Sequence, residues 1–175
     1  MTCIAVVKQD QNIYMAGDRG ASTEDSIMVL TAPKVFKIGP YLFGYAGTMD
    51  GERIRHNFKP PVPKSGVNLD KFMYTDFLIS LRNFYEAWWV DISKDSDFGM
   101  IICIKGRIFE HNAVDMSLTE YASDYLAMGS GSDFALGSLY TTSNQKSGKR
   151  RVQLAVEAAV KYSTSCIGPI DIVSA

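Results

Sequence analysis

A chain of 175 residues with 46% hydrophobic and 21% charged residues lies in the ordinary globular range, which excludes intrinsic disorder. Its 18 basic and 19 acidic residues leave a net charge of −1, so there is no overall pull toward nucleic acid or anionic lipid. The length suits a single domain, 1–175, large enough to bury a core without disulfide staples.

In chain order, Ile4–Val7 and Ile13–Ala16 are short apolar runs around a Gln11-Asn12 turn signal, which predicts a hairpin. A strand-rich stretch follows from Ser26 to Ala46, punctuated by Pro33, Gly39 and Pro40. Pro60, Pro61 and Pro63 break any helix across 58–66. Leu69, Phe72, Met73, Phe77, Leu81, Phe84 and Trp88 then recur at helical spacing, which predicts an amphipathic helix of about 20 residues. Phe98–Ile104 and Arg107–Glu110 flank Lys105-Gly106 as a second hairpin. A helix carrying Ala135, Leu139 and Tyr140 is expected after the Gly129-Ser130-Gly131 turn. Val152, Ala155, Val156, Ala159 and Val160 mark another, and Ile170–Val173 a last strand. Strands and helices come in blocks rather than alternating, which favours antiparallel sheets with helices segregated outside them.

Cys3, Cys103 and Cys166 are widely spaced and include no CxxC pair, so neither a disulfide framework nor a zinc site is indicated. The N-terminus lacks the basic-then-apolar order of a signal peptide. No stretch approaches the roughly 18 apolar residues of a membrane span. The expectation is a cytoplasmic protein with reduced thiols. Lys146 to Arg151 holds four basic residues in six, read as a solvated loop and helix start.

The chemically informative feature is Met1-Thr2. A small second residue permits removal of the initiator methionine, leaving an α-amine on the residue that carries a hydroxyl. An α-amine has a reference pKa near 8, so a good fraction is neutral near pH 7. It can serve as general base for its own side chain. Asp18 in Ala16-Gly17-Asp18-Arg19 follows Thr2 by 16 positions, and Lys34 in Ala32-Pro33-Lys34-Val35 by 32. Gly47 lies in Tyr45-Ala46-Gly47-Thr48 and Ser130 in Gly129-Ser130-Gly131.

This constellation resembles the proteasome β-subunit and bacterial HslV peptidase family, the N-terminal-threonine hydrolases, across roughly residues 2–175. The segment around 57–68 is the least similar. The resemblance implies an α+β fold, a four-layer αββα sandwich with two antiparallel sheets between helix layers. It also implies a threonine-type endopeptidase. Thr2 Oγ would attack a peptide carbonyl, and Lys34 as a cation would lower the pKa of the neighbouring amine and hydroxyl. Asp18 would hold Lys34, the Gly47 N–H would sit in the oxyanion hole, and Ser130 would help move the amine's proton. Tyr45 would stand at the base of the specificity pocket, either narrowing it to small side chains or offering its hydroxyl to a polar group.

The resemblance has departures. Where β-subunits carry an Asp that supports the amine, this chain has Tyr162 in Lys161-Tyr162-Ser163-Thr164-Ser165-Cys166. In the HslV register, set by Cys166-Ile167, the backbone carbonyls of Ser163, Cys166 and Pro169 would ring a monovalent cation such as sodium. No cofactor is otherwise expected. The implied partners are other copies in stacked rings, a separate ring ATPase or cap, and unfolded polypeptide. The ATPase would be a separate chain because GxxxxGK[ST] is absent here. Trp88, Trp89, Phe84 and Tyr85 crowd one helix and are read as core plus an interface. Two further readings remain: a ring or shell subunit without activity, and an amidohydrolase whose nucleophile is Cys3.

Overall fold

The computed structural model describes residues 2–22, 26–94 and 96–175; Met1, and with it the state of the N-terminus, lies outside them. Strands β1 (Ile4–Gln9) and β2 (Asn12–Gly17) form the expected hairpin, closed at Asp10-Gln11 with Asn12 already paired to Gln9. A short ribbon of β3 (Gly20–Ser22) and β4 (Ile27–Val29) precedes β5 (Val35–Ile38) and β6 (Tyr41–Ala46). Helix α1 (Asp50–Asn57) ends at Phe58, before the prolines. Next come α2 (Leu69–Phe72), a π-helical stretch over Met73–Phe77, and α3 (Leu78–Ala87). Strands β7 (Gly99–Ile104) and β8 (Arg107–Asn112) turn at Lys105 and Gly106, both at positive φ (48° and 75°) as a two-residue hairpin turn requires. The chain continues through β9 (Ser117–Glu120), β10 (Tyr125–Met128), α4 (Ser132–Thr141), α5 (Gly148–Tyr162) and β11 (Asp171–Ser174).

Among the described residues the strands form a four-stranded sheet, β10-β1-β2-β11, and a five-stranded sheet, β5-β6-β7-β8-β9, with the β3-β4 ribbon apart. Every pairing is antiparallel. Side-chain alternation along each strand produces three core layers. Ile4, Val6 and Met15 of one sheet meet Leu42, Ile101 and Cys103 of the other. On the opposite face of β1, Ala5 and Val7, with Cys3 just before the strand, pack under α4 and α5 with Val152, Ala155, Val156 and Ala159. On the far face of the second sheet, Tyr41, Phe43 and Tyr45 pack under the 50–87 helices with Phe58, Phe77 and Phe84. The layers run helix, sheet, sheet, helix: the αββα sandwich.

Several expectations need correction. The helix over 69–87 is interrupted by a π turn, which adds a residue to the i→i+4 ladder and lets Phe72 and Met73, then Phe77, share the buried face. Tyr140 points outward, leaving Ala135 and Leu139 as the buried positions of α4. Arg151 is buried, one guanidinium nitrogen donating to the Leu139 carbonyl at 3.0 Å, so the basic run is not wholly solvated. Phe84 and Tyr85 are core, while Trp88 and Trp89 reach the surface. Strands β9 and β10 are short and carry little apolar alternation, and the sequence did not announce them.

Candidate active site

Strand register brings distant residues to one end of the sandwich. Ile4 pairs with both Gly17 and Met128, so the start of β1, the end of β2 and the end of β10 lie side by side. Thr2, Asp18 and Ser130 sit just beyond those three points. In the other sheet Val35 pairs with Gly44, which places Lys34 and Gly47 at the same end. Antiparallel pairing thus gathers Thr2, Asp18, Lys34, Gly47 and Ser130 from five separate segments.

The polar network there is dense. The Lys34 ammonium donates to Thr2 Oγ1 at 2.7 Å, to Asp18 Oδ1 at 3.2 Å and to the Gly20 carbonyl. Asp18 accepts four hydrogen bonds: Oδ1 from Lys34 and from the Cys3 N–H at 2.9 Å, Oδ2 from the Gly20 N–H at 2.9 Å and the Ile167 N–H at 3.2 Å. The Thr2 nitrogen donates to Ser130 Oγ at 3.1 Å, and the Gly131 N–H returns to the Thr2 carbonyl at 3.1 Å.

Lys34 and Asp18 are almost completely buried. Burial pushes the Lys34 pKa below that of an ordinary lysine, with the attraction of Asp18 opposing the shift. The acceptors that Lys34 meets among the described residues favour the charged form locally. Asp18 would remain satisfied by backbone donors even without Lys34. Cys3, beside the nucleophile, is different: burial first, then Cys166 and Asp18, push its thiol far up.

Two cavities meet at Thr2 and Gly47. One of about 150 Å³ is lined by Gly20, Ala21, Lys34, Tyr45 and Met49. The other, about 330 Å³, is lined by residues including Asp97, Glu110, His111, Met128 and Ser130. Tyr45 is buried, its ring against Gly51 and its hydroxyl 3.3 Å from Glu52 Oε1. Gly47 has φ +90°, and its N–H donates to none of the described residues, so it is available to a ligand between the cavities. A larger concavity of about 620 Å³ lies elsewhere, lined by residues including Lys8, Lys105, Arg107 and Ala175. It includes none of the five gathered residues.

Ser163, Cys166 and Pro169 lie in the segment joining α5 to β11. Their carbonyls accept no hydrogen bond from the described residues, which leaves their lone pairs open to a ligand. The same segment touches the site through Ile167, whose N–H reaches Asp18 and whose carbonyl accepts the Arg19 N–H at 3.1 Å.

Sequence reasoning missed the backbone partners at Cys3, Gly20 and Ile167, which leave no side-chain signature. It also missed a run of hydroxyls: Ser130 Oγ lies 2.9 Å from Ser165 Oγ, which lies 2.8 Å from Ser163 Oγ. Ser163 drew attention only for its carbonyl. Tyr162 is largely exposed, its ring against Phe134.

No family model matches the chain, and no curated protein matches it by sequence. Solved structures do. BPH of Thiobacillus denitrificans in complex with epoxomicin is 18% identical with a TM-score of 0.80, over 99% of this chain and 98% of that one. BPH without that description gives 18% and 0.79, over 99% and 97%. Eukaryotic HslV from Trypanosoma brucei gives 16% and 0.72, over 99% and 98%. At these identities the likeness is one of fold: the chain has the αββα sandwich fold of the N-terminal-nucleophile hydrolases.

Proposed function

We propose that the chain is a threonine-type endopeptidase subunit in which Thr2, freed of Met1, is the nucleophile. The observation that carries this reading is the 2.7 Å contact between Lys34 Nζ and Thr2 Oγ1. A buried cation on the hydroxyl stabilises developing alkoxide character. The α-amine takes the Oγ proton as Oγ bonds to the substrate carbonyl carbon. The resulting oxyanion is received by the Gly47 N–H, a donor of the kind whose loss typically costs about 10²–10³ in rate. The C–N bond then breaks, the leaving amine takes the proton, and water hydrolyses the ester on Thr2. A monovalent cation on the Ser163, Cys166 and Pro169 carbonyls would brace the loop that presents the Ile167 N–H to Asp18.

The fold likeness to HslV supports a ring assembly fed by a separate ATPase or cap. Exposed Met28, Val29, Trp89, Tyr140 and Tyr162 supply apolar surface for subunit contacts. No helix among the described residues is long and apolar enough to cross a membrane. A cytoplasmic setting remains part of this proposal. The Cys3 alternative is disfavoured by its fully buried, high-pKa thiol.

The test combines intact mass with peptide hydrolysis. Loss of Met1, cleavage of fluorogenic peptides abolished in Thr2→Ala but kept in Cys3→Ala, and an epoxomicin adduct on Thr2 are expected. Retained Met1 with no hydrolysis and intact rings would establish the inactive-shell reading instead.

A further inference from the structure

We propose that the larger cavity beside Thr2 receives the residues that follow the scissile bond, and that Asp97 and Glu110 in its wall select a lysine or arginine there. This selectivity rests on the peptidase reading and adds a substrate class to it.

The two cavities that meet at Thr2 and Gly47 differ in what else lines them. Lys34 and Tyr45 line the smaller one, Met128 and Ser130 the larger. When Thr2 Oγ bonds to the substrate carbonyl carbon and the oxygen turns to the Gly47 N–H, the acyl residue and the leaving nitrogen diverge into these two spaces. The leaving nitrogen takes its proton from the α-amine, and the Thr2 nitrogen points at Ser130 Oγ, 3.1 Å away. The proton is therefore delivered on the Ser130 side, and the departing segment occupies the larger cavity. A volume of about 330 Å³ gives it room for a long side chain.

The charge in this cavity has one sign. Asp97 and Glu110 contribute carboxylates, and among the described residues no lysine or arginine lines it. His111 is also in the wall, and burial lowers its pKa to about 4, which leaves it neutral near pH 7. Neither carboxylate joins an ion pair among the described residues. Glu110 is half-buried in β8, and its Oε2 accepts from the Tyr121 hydroxyl at 2.7 Å, which fixes the carboxylate. Asp97 is exposed and stands at Gly47: a Cβ built on that glycine would lie 2.8 Å from Asp97 Oδ1.

That position gives Asp97 an effect on the transition state. Negative charge grows on the carbonyl oxygen as Thr2 attacks, and a carboxylate beside the donor of the oxyanion hole opposes it. A cation on the departing segment that pairs with Asp97 removes the opposition, so the preference falls on kcat as well as on KM. Solvent around Asp97 screens the effect and keeps it modest. Glu110, more buried and held by Tyr121, anchors the cation and acts on KM. Both are specificity residues, since neither exchanges a proton with the reacting atoms.

The experiment uses the full chain with Thr2 freed by a cleavable N-terminal tag. Internally quenched peptides share a small residue before the scissile bond and carry lysine, alanine or glutamate in the two positions after it; mass spectrometry places the cut. A fluorogenic amide of the same acyl segment, with no residue after the bond, is the reference. The lysine peptide is expected to exceed the glutamate peptide by about tenfold in kcat/KM, with alanine between, and high salt shrinks the ratio. Asp97→Asn raises kcat on the alanine and glutamate peptides and on the reference amide, and cuts the ratio to about threefold. Glu110→Gln, which keeps an acceptor for Tyr121, raises KM for the lysine peptide with kcat unchanged. Equal kcat/KM for the lysine and glutamate peptides in wild type overturns the proposal, as does a ratio unaltered in both variants. If the reference amide is not hydrolysed, the peptidase reading fails. Fluorescence anisotropy of the labelled lysine and glutamate peptides on Thr2→Ala protein then decides the cavity: tighter binding of the lysine peptide, lost on adding Glu110→Gln, supports charge selection, and equal binding overturns it.

Discussion

The Lys34 ammonium nitrogen and the Thr2 hydroxyl oxygen are 2.7 Å apart although 32 residues separate them in sequence. The contact is made with both groups buried, so the cation has given up most of its hydration. Lys34→Met should therefore fold, because Asp18 keeps three backbone N–H donors. It should nevertheless lose about 10²-fold or more in kcat. Circular dichroism and peptide hydrolysis check both halves, and a folded Lys34→Met protein with near-wild-type kcat contradicts the role.

The same burial fixes the sign of a pH effect. Lys34 must be charged to act on Thr2, and its pKa lies below the ordinary lysine value. Activity should be lost as pH rises through that lowered pKa, so the alkaline limb falls earlier than an unperturbed lysine allows. A kcat/KM profile flat beyond pH 10 excludes Lys34 as the group responsible.

Gly47 is at φ +90°, and a Cβ there would lie 2.2 Å from the Asp97 carbonyl oxygen. Both the conformation and the space require glycine. Gly47→Ala should cost about 1–3 kcal/mol from the backbone conformation, plus whatever displacement of the Asp97 segment adds. Urea denaturation gives the first quantity. Since the displaced N–H is the proposed oxyanion donor, kcat should fall more than KM changes.

Part of the fold around this site was legible because its elements are local, while the roles given to Asp18, Lys34, Gly47 and Ser130 came from the family resemblance. Hairpin β1-β2 and helix α5 announce themselves by alternation and by the Val152–Ala159 stripe, and the 16- and 32-residue spacings follow from two short hairpin-like returns. What escaped was set by tertiary pairing. Strand β10, which brings the already named Ser130 to Thr2 by docking beside β1, carries little apolar alternation of its own and went unread. The Ser165–Ser163 link depends on where α5 ends. The π turn at 73–77 is invisible to a 3.6-residue period because it is the place where that period breaks.

Tyr45 closes the smaller cavity. Its hydroxyl is engaged by Glu52 and its ring occupies the space above Gly51, so in the proposed peptidase it would act by bulk rather than by offering a polar handle. Cleavage after small side chains is expected from a cavity of about 150 Å³. Tyr45→Val should shift preference in a peptide library toward larger side chains, at a stability cost of about 2–4 kcal/mol for the lost aromatic core. An unaltered preference removes Tyr45 from the pocket's selectivity.

His111 lies buried in β8, at the wall of the larger cavity. Its Nδ1 faces the Ser117 carbonyl at 2.8 Å and its Nε2 faces the Tyr85 hydroxyl at 3.0 Å. A carbonyl can only accept, so Nδ1 carries the proton and Nε2 accepts from Tyr85. Protonating Nε2 would place a charge in a buried site and force the Tyr85 hydroxyl to turn its proton elsewhere, and burial lowers the pKa from 6.5 to about 4. The unfolded chain therefore binds a proton that the folded one refuses between those values. Stability is fully present above about pH 6.5 and is lost as pH falls toward 4, by about 3 kcal/mol in all. His111→Gln keeps one donor and one acceptor without a titrating ring. Urea denaturation at pH 7 and pH 4.5 should show a smaller loss of stability in His111→Gln than in wild type by about 2–3 kcal/mol. Equal losses in the two proteins would show that His111 does not govern acid sensitivity.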